Sequence, residues 1–295
     1  MCQKDEVIFM NEKQGKRMLI CSMCIFSTIG ILRRFIPYPS GFVAMIRGLV
    51  GTLFLLGTLA LGKQKLDFSA IRKNLPVLIL SGAAIGFNWI FLFEAYNHTS
   101  VATATLCYYL APILVILASP LVLKEALTGR KLLCAGAALG GMVLVSGVLE
   151  SGFSGMQDWK GILFGLCAAA LYATVMLLNK KIRQLNANDR TIAQLAVASI
   201  VMVPYVFLVE NPAGFTYTAL PVALLLVAGV VHTGIAYWLY FGSMGAIPAQ
   251  TVALYSYIDP ILAIVLSMLV LKEPMTVSAA IGAVIVLASA YLSEK

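Results

Sequence analysis

Ten uninterrupted apolar stretches, each near 20 residues, run the length of this 295-residue chain. They fall at about 18–36, 40–62, 76–95, 101–123, 130–149, 159–180, 190–209, 219–241, 249–271 and 276–293. About 20 apolar residues is what a helix needs to cross the hydrocarbon of a bilayer. The stretches are continuously apolar rather than alternating, so helices, not barrel strands, are the expected spanning form. Charged residues make up only 12% of the chain and the mean hydropathy is +0.92. A soluble domain carries about 25% charged residues. The fold class expected is therefore an all-α integral membrane protein with ten transmembrane helices.

The placement of charge gives an orientation. Of the 21 Lys and Arg, sixteen fall in segments on one side. They include the polar tail over 1–17, Lys63, Lys65, Arg72 and Lys73, and then Lys124, Arg130, Lys131, Lys180, Lys181, Arg183 and Arg190. Arg33, Arg34, Lys160 and Lys272 lie on the other side, and Arg47 lies within the second stretch. By the positive-inside rule both termini are expected in the cytoplasm of a bacterial inner membrane. The net charge of +8 is thus a topological signal. It is not clustered with interleaved aromatics as nucleic-acid binding would want, so no nucleic-acid partner is expected.

An internal repeat organises the spans. Shifted by 148 residues, Thr103 to Glu125 overlies Thr251 to Glu273, with 13 of 23 positions identical. The identities include Tyr109/Tyr257, Pro112/Pro260, Ser119/Ser267 and the run LVLKE at 121–125 and 269–273. Thr128 and Thr276 follow at the same spacing, each placed to cap the next helix. A repeat of five helices is odd-numbered, so successive copies enter the membrane in opposite directions. The expected units are a tail (1–17), a first five-helix repeat (18–149), an outer linker (150–158) and a second repeat (159–295). Such inverted repeats suit alternating access around a site at the midplane.

These features resemble the EamA-type branch of the drug/metabolite transporter superfamily. The resemblance rests on 109–112 (YLAP) through Glu125 and on 257–260 (YIDP) through Glu273, with 234–240 (GIAYWLY) as further support. It covers the whole chain. It implies ten helices in two inverted halves, a central cavity, and movement of small metabolites or toxic compounds, often outward. It also implies an acidic residue before the second-half proline, usually Glu, where this chain has Asp259.

Asp259 falls near the middle of the ninth stretch. A charge at a helix centre costs about 2.5–3.5 kcal/mol on insertion scales, so it is expected to face a cavity or a partner and to serve ion coupling. The plainer reading ties it to helix backbone or to Arg47. Pro112 and Pro260 each remove an N–H and free the carbonyl four residues back, at Tyr108 and Ser256. They read as paired hinges, or as packing kinks. Around them cluster Thr105, Tyr108 and Tyr109, and Tyr255, Tyr257 and Asp259, with Thr251, Tyr255 and Asp259 at four-residue spacing on one face. Asn88 and Trp89 join from the third stretch, and His232, Tyr237 and Trp238 from the eighth. An aromatic-lined cavity suits an organic substrate with an apolar or aromatic part, cationic or amino-acid-like groups included. Tyr38, Trp159 and Tyr291 read instead as interfacial belt residues.

His232 reads either as a helix-helix hydrogen bond or as a relay partner of Asp259. Arg47 reads as a structural ion pair with Glu94, or as a hold on a substrate carboxylate. The motifs at Gly82/Gly86, Gly136/Gly140 and Gly161/Gly165 read as close packing within the chain, leaving a homodimer open as the oligomer. Cys21 and Cys24, in the first stretch, read as small packing residues rather than a redox or metal pair. A Walker-like Gly57 to Lys63 lacks the following Ser or Thr and is rejected. No metal cluster, cofactor motif or nucleophile triad is expected. The function expected is secondary active transport by alternating access, with protons as coupling ion. An uncoupled facilitator of the same fold is the first alternative and an integral membrane enzyme a distant one.

Overall fold

A computed structural model describes residues 11–99, 101–146, 149, 158–182, 184–272 and 276–293. Among them the chain forms ten helices. They are α1 Glu12–Arg33, α2 Ser40–Leu61 and α3 Phe68–His98. Then come α4 in two halves, Val101–Tyr108 and Ala111–Leu123, and α5 Gly129–Ser146. The second set is α6 Asp158–Lys181, α7 Ala187–Glu210 and α8 Ala219–Ser243. It ends with α9, in halves Ala249–Tyr255 and Ile258–Leu266 with a π-helical turn over Ser267–Leu271, and α10 Val277–Leu292. Eight of these are long and apolar enough to cross a membrane, and α5 and α10 are the shorter pair.

Helix boundaries follow their caps. α1 begins at Glu12, inside the stretch read as a polar tail. Asn11 and Gln14 form a reciprocal capping box there, at 2.8 and 3.1 Å, and Lys16 pairs with Glu12 at 2.7 Å. α3 is longer than its apolar stretch because Asp67 caps it on Ala70 N–H at 2.9 Å, several residues upstream. The repeat-related threonines both cap: Thr128 accepts from Lys131 N–H at 3.3 Å and Thr276 from Ala279 N–H at 3.2 Å. Lys124 and Lys272, also repeat-related, both end their helices in the left-handed region, with φ of 58° and 59°. The repeat is thus carried into the backbone. Glu273 lies outside the described residues.

The most extensive packing runs between the halves. α3 lies against α6 and α7, while α8 lies against α1 and α2. α4 packs on α6 as α9 packs on α1, and α2/α7, α4/α9 and α5/α10 pair with each other. Exchanging α1–α5 with α6–α10 maps this set onto itself, as an inverted two-fold requires. Ten spans return the chain to its starting side, the termini side below; the other is the far side. Large apolar side chains such as Leu61, Leu121 and Leu208 are exposed around the perimeter, where lipid would cover them. Buried hydroxyls on the helices answer their own backbone: Ser22 donates to the Leu19 carbonyl and Thr52 to that of Gly48.

Glycines set the crossings between halves. Gly82 and Gly86 of α3 lie on Val197, Gln194 and Ala198 of α7; Gly161 and Gly165 of α6 lie on Thr99, Ala104 and Cys107. Gly234 of α8, the repeat counterpart of Gly86, lies on Phe54 of α2. Gly136 and Gly140 depart from the expectation of close packing, since nothing would meet a Cβ at either within 4 Å. The neighbouring Gly141 makes the contact instead, against Gly282 and Val286 of α10. Cys21 and Cys24 are exposed rather than packed. Tyr38 is buried rather than exposed to a lipid-facing belt: it is 4% exposed, stacked on Phe215 at 6.0 Å, whereas Trp159 and Tyr291 are 55% and 62% exposed.

Gly86→Ala would set a Cβ 2.8 Å from the Ala198 carbonyl. It is expected to cost about 1–3 kcal/mol through overpacking and to lower the melting temperature in detergent. Gly136→Ala, into open space, is expected to leave the melt unchanged or to raise it.

Candidate functional site

The two broken helices meet at the centre of the molecule. α4 turns out of helical geometry at Tyr109–Leu110 and α9 at Ser256–Tyr257, each just before its proline. Pro112 and Pro260 have no N–H to offer the carbonyls of Tyr108 and Ser256, so neither helix can continue its ladder there. Tighter bonds bridge the gaps: Leu110 N–H reaches the Cys107 carbonyl at 3.2 Å and Tyr257 N–H that of Leu254 at 3.3 Å.

Between these breaks lies a cavity of about 150 Å³. α4 lines it with Tyr108, Tyr109 and Pro112, and α9 with Ser256, Tyr257 and Asp259. Met23, Phe26 and Ile29 of α1 form a further wall, and Tyr172, Tyr237 and Tyr240 complete it from α6 and α8. The aromatic walls are tightly engaged. Tyr108 stacks on Tyr172 at 5.5 Å, Phe26 meets Tyr237 edge-on at 5.2 Å, and the Tyr172 and Tyr240 hydroxyls bond at 2.6 Å. The Tyr257 hydroxyl donates to the Tyr109 carbonyl at 2.7 Å.

Asp259 stands in the first turn of the second half of α9, where the helix dipole favours a negative group. Among the described residues it has neither an ion pair nor a hydrogen bond, to Arg47 or to backbone. Its repeat counterpart is Ala111, so the cavity carries one carboxylate.

The other residues singled out from sequence lie elsewhere. His232 sits in a π-helical turn of α8, Val230–Ile235, and its Nε2 pairs with the Thr28 hydroxyl at 2.8 Å rather than with Asp259. Arg47 donates to the Thr233 hydroxyl at 3.1 Å and to the His232 carbonyl at 3.5 Å. The expected Arg47–Glu94 pair is not formed: Glu94 accepts from the Tyr205 hydroxyl at 2.7 Å and lies 3.7 Å from His98. Asn88 is buried and donates to the Ala168 carbonyl at 2.6 Å; Trp89 packs edge-on to Tyr237, centroids 6.2 Å apart. The one-face reading of Thr251, Tyr255 and Asp259 fails, because the break at 256–257 turns the helix between them. Thr251 is buried, and the cavity takes Ser256 and Tyr257 in place of Tyr255. Pro260 is buried behind Asp259 and does not line the cavity.

Sequence reasoning missed the α1 wall and Tyr172. Met23, Phe26 and Ile29 are ordinary residues of an apolar span, and only the repeat, which pairs α1 with α6, points to both helices as facing walls.

On its termini side the cavity is sealed by the second half of α4 against the first half of α9. Gln250 donates to the Ser119 hydroxyl at 2.7 Å. Glu125, the last residue of the repeated LVLKE run, accepts from Ala249 N–H at 2.9 Å and Gln250 N–H at 3.4 Å, so it caps α9 across the halves. Lys180 of α6 donates to the Ile247 carbonyl and Arg190 of α7 to that of Phe241. Towards the far side α4 and α9 part company: the first half of α4 packs on α6 and α5, and the second half of α9 on α1.

Glu125→Gln keeps the shape of this seal but leaves one of the two capped N–H groups facing an amide NH2. Charge-assisted bonds are roughly twice as strong as neutral ones, so a loss of about 1–2 kcal/mol is expected, read as a lower melting temperature.

The chain matches the EamA-like transporter family twice, over residues 14–147 and 159–294. It is 31% identical over 250 residues to the uncharacterized transporter YxxF of Bacillus subtilis (strain 168), covering 84% of this chain and 79% of that protein. It is 23% identical over 290 residues to an uncharacterized transporter of Clostridium kluyveri, covering 95% of this chain and 93% of that one. A crystal structure of a further protein shares the fold with a TM-score of 0.84 at 17% identity, over 95% of this chain and 96% of its own. The chain is a multi-pass membrane transporter, not an enzyme, and it belongs to the EamA-like transporter family of the drug/metabolite transporter superfamily.

Proposed function

We propose that this transporter exports a compact organic substrate by alternating access and couples that movement to protons through Asp259. One observation carries the reading: a carboxylate without an ion-pair partner among the described residues lines a cavity between two repeat-related helix breaks. An ionisable group inside a membrane is costly and by default functional, and broken helices are tolerated there where they line a cavity.

The size and walls of the cavity describe its ligand. A space near 150 Å³ is about what takes a benzene ring. The tyrosines and Phe26 offer ring faces and edges, and Asp259 a negative group. A small aromatic or apolar body bearing a cationic or amino-acid-like group fits both. Sixteen of the 21 basic residues lie on the termini side, which by the positive-inside rule supports cytoplasmic termini, and the bacterial sources of the relatives support a bacterial inner membrane. The seal of Glu125, Gln250 and Ser119 then closes the cytoplasmic side, and this conformation is the outward-facing one.

Proteoliposomes under an imposed pH gradient test the coupling, with a panel of aromatic amino acids and small aromatic amines as probes. At least one probe is expected to accumulate at least ten-fold with the native chain. Asp259→Asn, which keeps the shape and removes the ionisable group, is expected to abolish accumulation while keeping exchange down a gradient. Undiminished accumulation in that variant overturns the role of Asp259. Downhill flux without accumulation in the native chain identifies an uncoupled facilitator instead.

A further inference from the structure

The hydrogen bond between Tyr257 and the Tyr109 carbonyl joins residues that are 148 positions apart, which is the repeat shift itself. The two tyrosines are therefore counterparts across the inverted two-fold. Each stands three residues before its proline and within its helix break, their rings meet edge-on with centroids 6.4 Å apart, and both line the cavity.

A two-fold symmetric pair would exchange bonds both ways. This one does not. The Tyr257 hydroxyl is committed to the Tyr109 carbonyl at 2.7 Å, while the Tyr109 hydroxyl has no hydrogen bond among the described residues, and Tyr109 lines the cavity. The same asymmetry marks the helices that carry them. The termini-side halves of α4 and α9 pack together, and their far-side halves diverge onto other helices.

We propose that Tyr109 and Tyr257 are reciprocal positioning residues that set the balance between the two faces of the transport cycle. This rests on the alternating-access reading above. An inverted repeat reaches its opposite state when the halves trade conformations. The operation that maps α4 onto α9 maps the bond from Tyr257 to the Tyr109 carbonyl onto a bond from Tyr109 to the Tyr257 carbonyl. Tyr257 thus holds the outward-facing state and Tyr109 holds the inward-facing state. Each hydroxyl is bonded in one state and faces the cavity in the other. Removing one hydroxyl weakens one state only; removing both leaves the balance near its starting point.

Thiol labelling with a membrane-impermeant maleimide tests this in the full-length chain with its native cysteines replaced by Ala or Ser. Ile29→Cys, on the cavity wall, reports opening to the far side. Ser119→Cys, in the seal, reports opening to the termini side. Right-side-out and inside-out vesicles present one face each. Tyr257→Phe is expected to raise termini-side labelling at the Ser119→Cys reporter about five-fold, the shift equivalent to one net neutral hydrogen bond. Tyr109→Phe is expected to lower it by a similar factor, and the double variant to lie within about two-fold of the parent.

Shifts in the same direction for both single variants, or no shift in either while the reporters respond to sidedness, overturn the reciprocal pair. A different failure belongs to the parent reading: the seal reporter stays unlabelled in all four chains while the wall reporter labels equally in all. Each chain is checked for a single elution peak and a cooperative melt. Tyr257→Leu or Tyr109→Leu takes the place of a Phe variant that aggregates, with the same directions expected.

Discussion

A backbone carbonyl without a partner costs several kcal/mol in hydrocarbon, because no water is there to take its place. That constraint decides where this chain can be irregular. α4 and α9 break at the centre of the bundle, where their termini-side halves touch each other and the cavity opens beside them. The carbonyl of Tyr109 finds a tyrosine hydroxyl from the other half, and the tight turns at Leu110 and Tyr257 take up others. The breaks survive because protein and cavity, not lipid, surround them. Everything the site offers follows: aromatic rings swung inward by the turns, and Asp259 delivered to a half-helix N-terminus in the middle of the membrane.

A second regularity is that carboxylates at helix ends stitch the halves together. Glu125 at the end of the α4 segment caps α9 on one side of the membrane. Glu210 at the end of α7 caps α2 on the other, accepting from Gly41 N–H at 2.8 Å and Phe42 N–H at 2.6 Å. In each case the negative group of one half meets the positive end of a helix from the other. Gly41 gives the carboxylate room, since a Cβ would sit 2.7 Å from the Glu210 oxygen and push it aside. These caps lie where polar groups are cheapest to place, at the two faces, and leave the midplane to the cavity.

The fold was legible in the sequence because the bilayer imposes a single length and a single admissible backbone. Ten apolar runs, an odd repeat and the paired LVLKE segments carry the architecture, down to Lys124 and Lys272 sharing one backbone conformation. The site was legible only where chemistry is scarce. A carboxylate or a proline in mid-span stands out, and Asp259, Tyr108, Tyr109, Tyr257 and Pro112 all line the cavity. Side-chain partners were not legible. His232 turned to Thr28 and Arg47 to Thr233 because a π-helical turn re-aims that part of α8, and nothing in an apolar run announces such a turn. The helical period also misplaced Tyr255, since periodicity assumes an unbroken helix. Met23, Phe26 and Ile29 could not be told from lipid-facing neighbours of the same composition.

The dominance of packing between the halves has a consequence for biosynthesis. When α1 to α5 have left the ribosome, α3 has neither α6 nor α7 to lie against, α4 lacks α6 and α9, and α5 lacks α10. The first half then waits in the bilayer as spans with few of their final neighbours, and its glycine faces stay covered by lipid. In the order of synthesis the groove on α3 can be filled once α6 and α7 arrive, and the contact of Gly282 with Gly141 becomes available last, with α10. The same packing leaves each half with few contacts of its own. Duplication of a five-helix ancestor would therefore have required two ancestral copies already packed as an antiparallel pair.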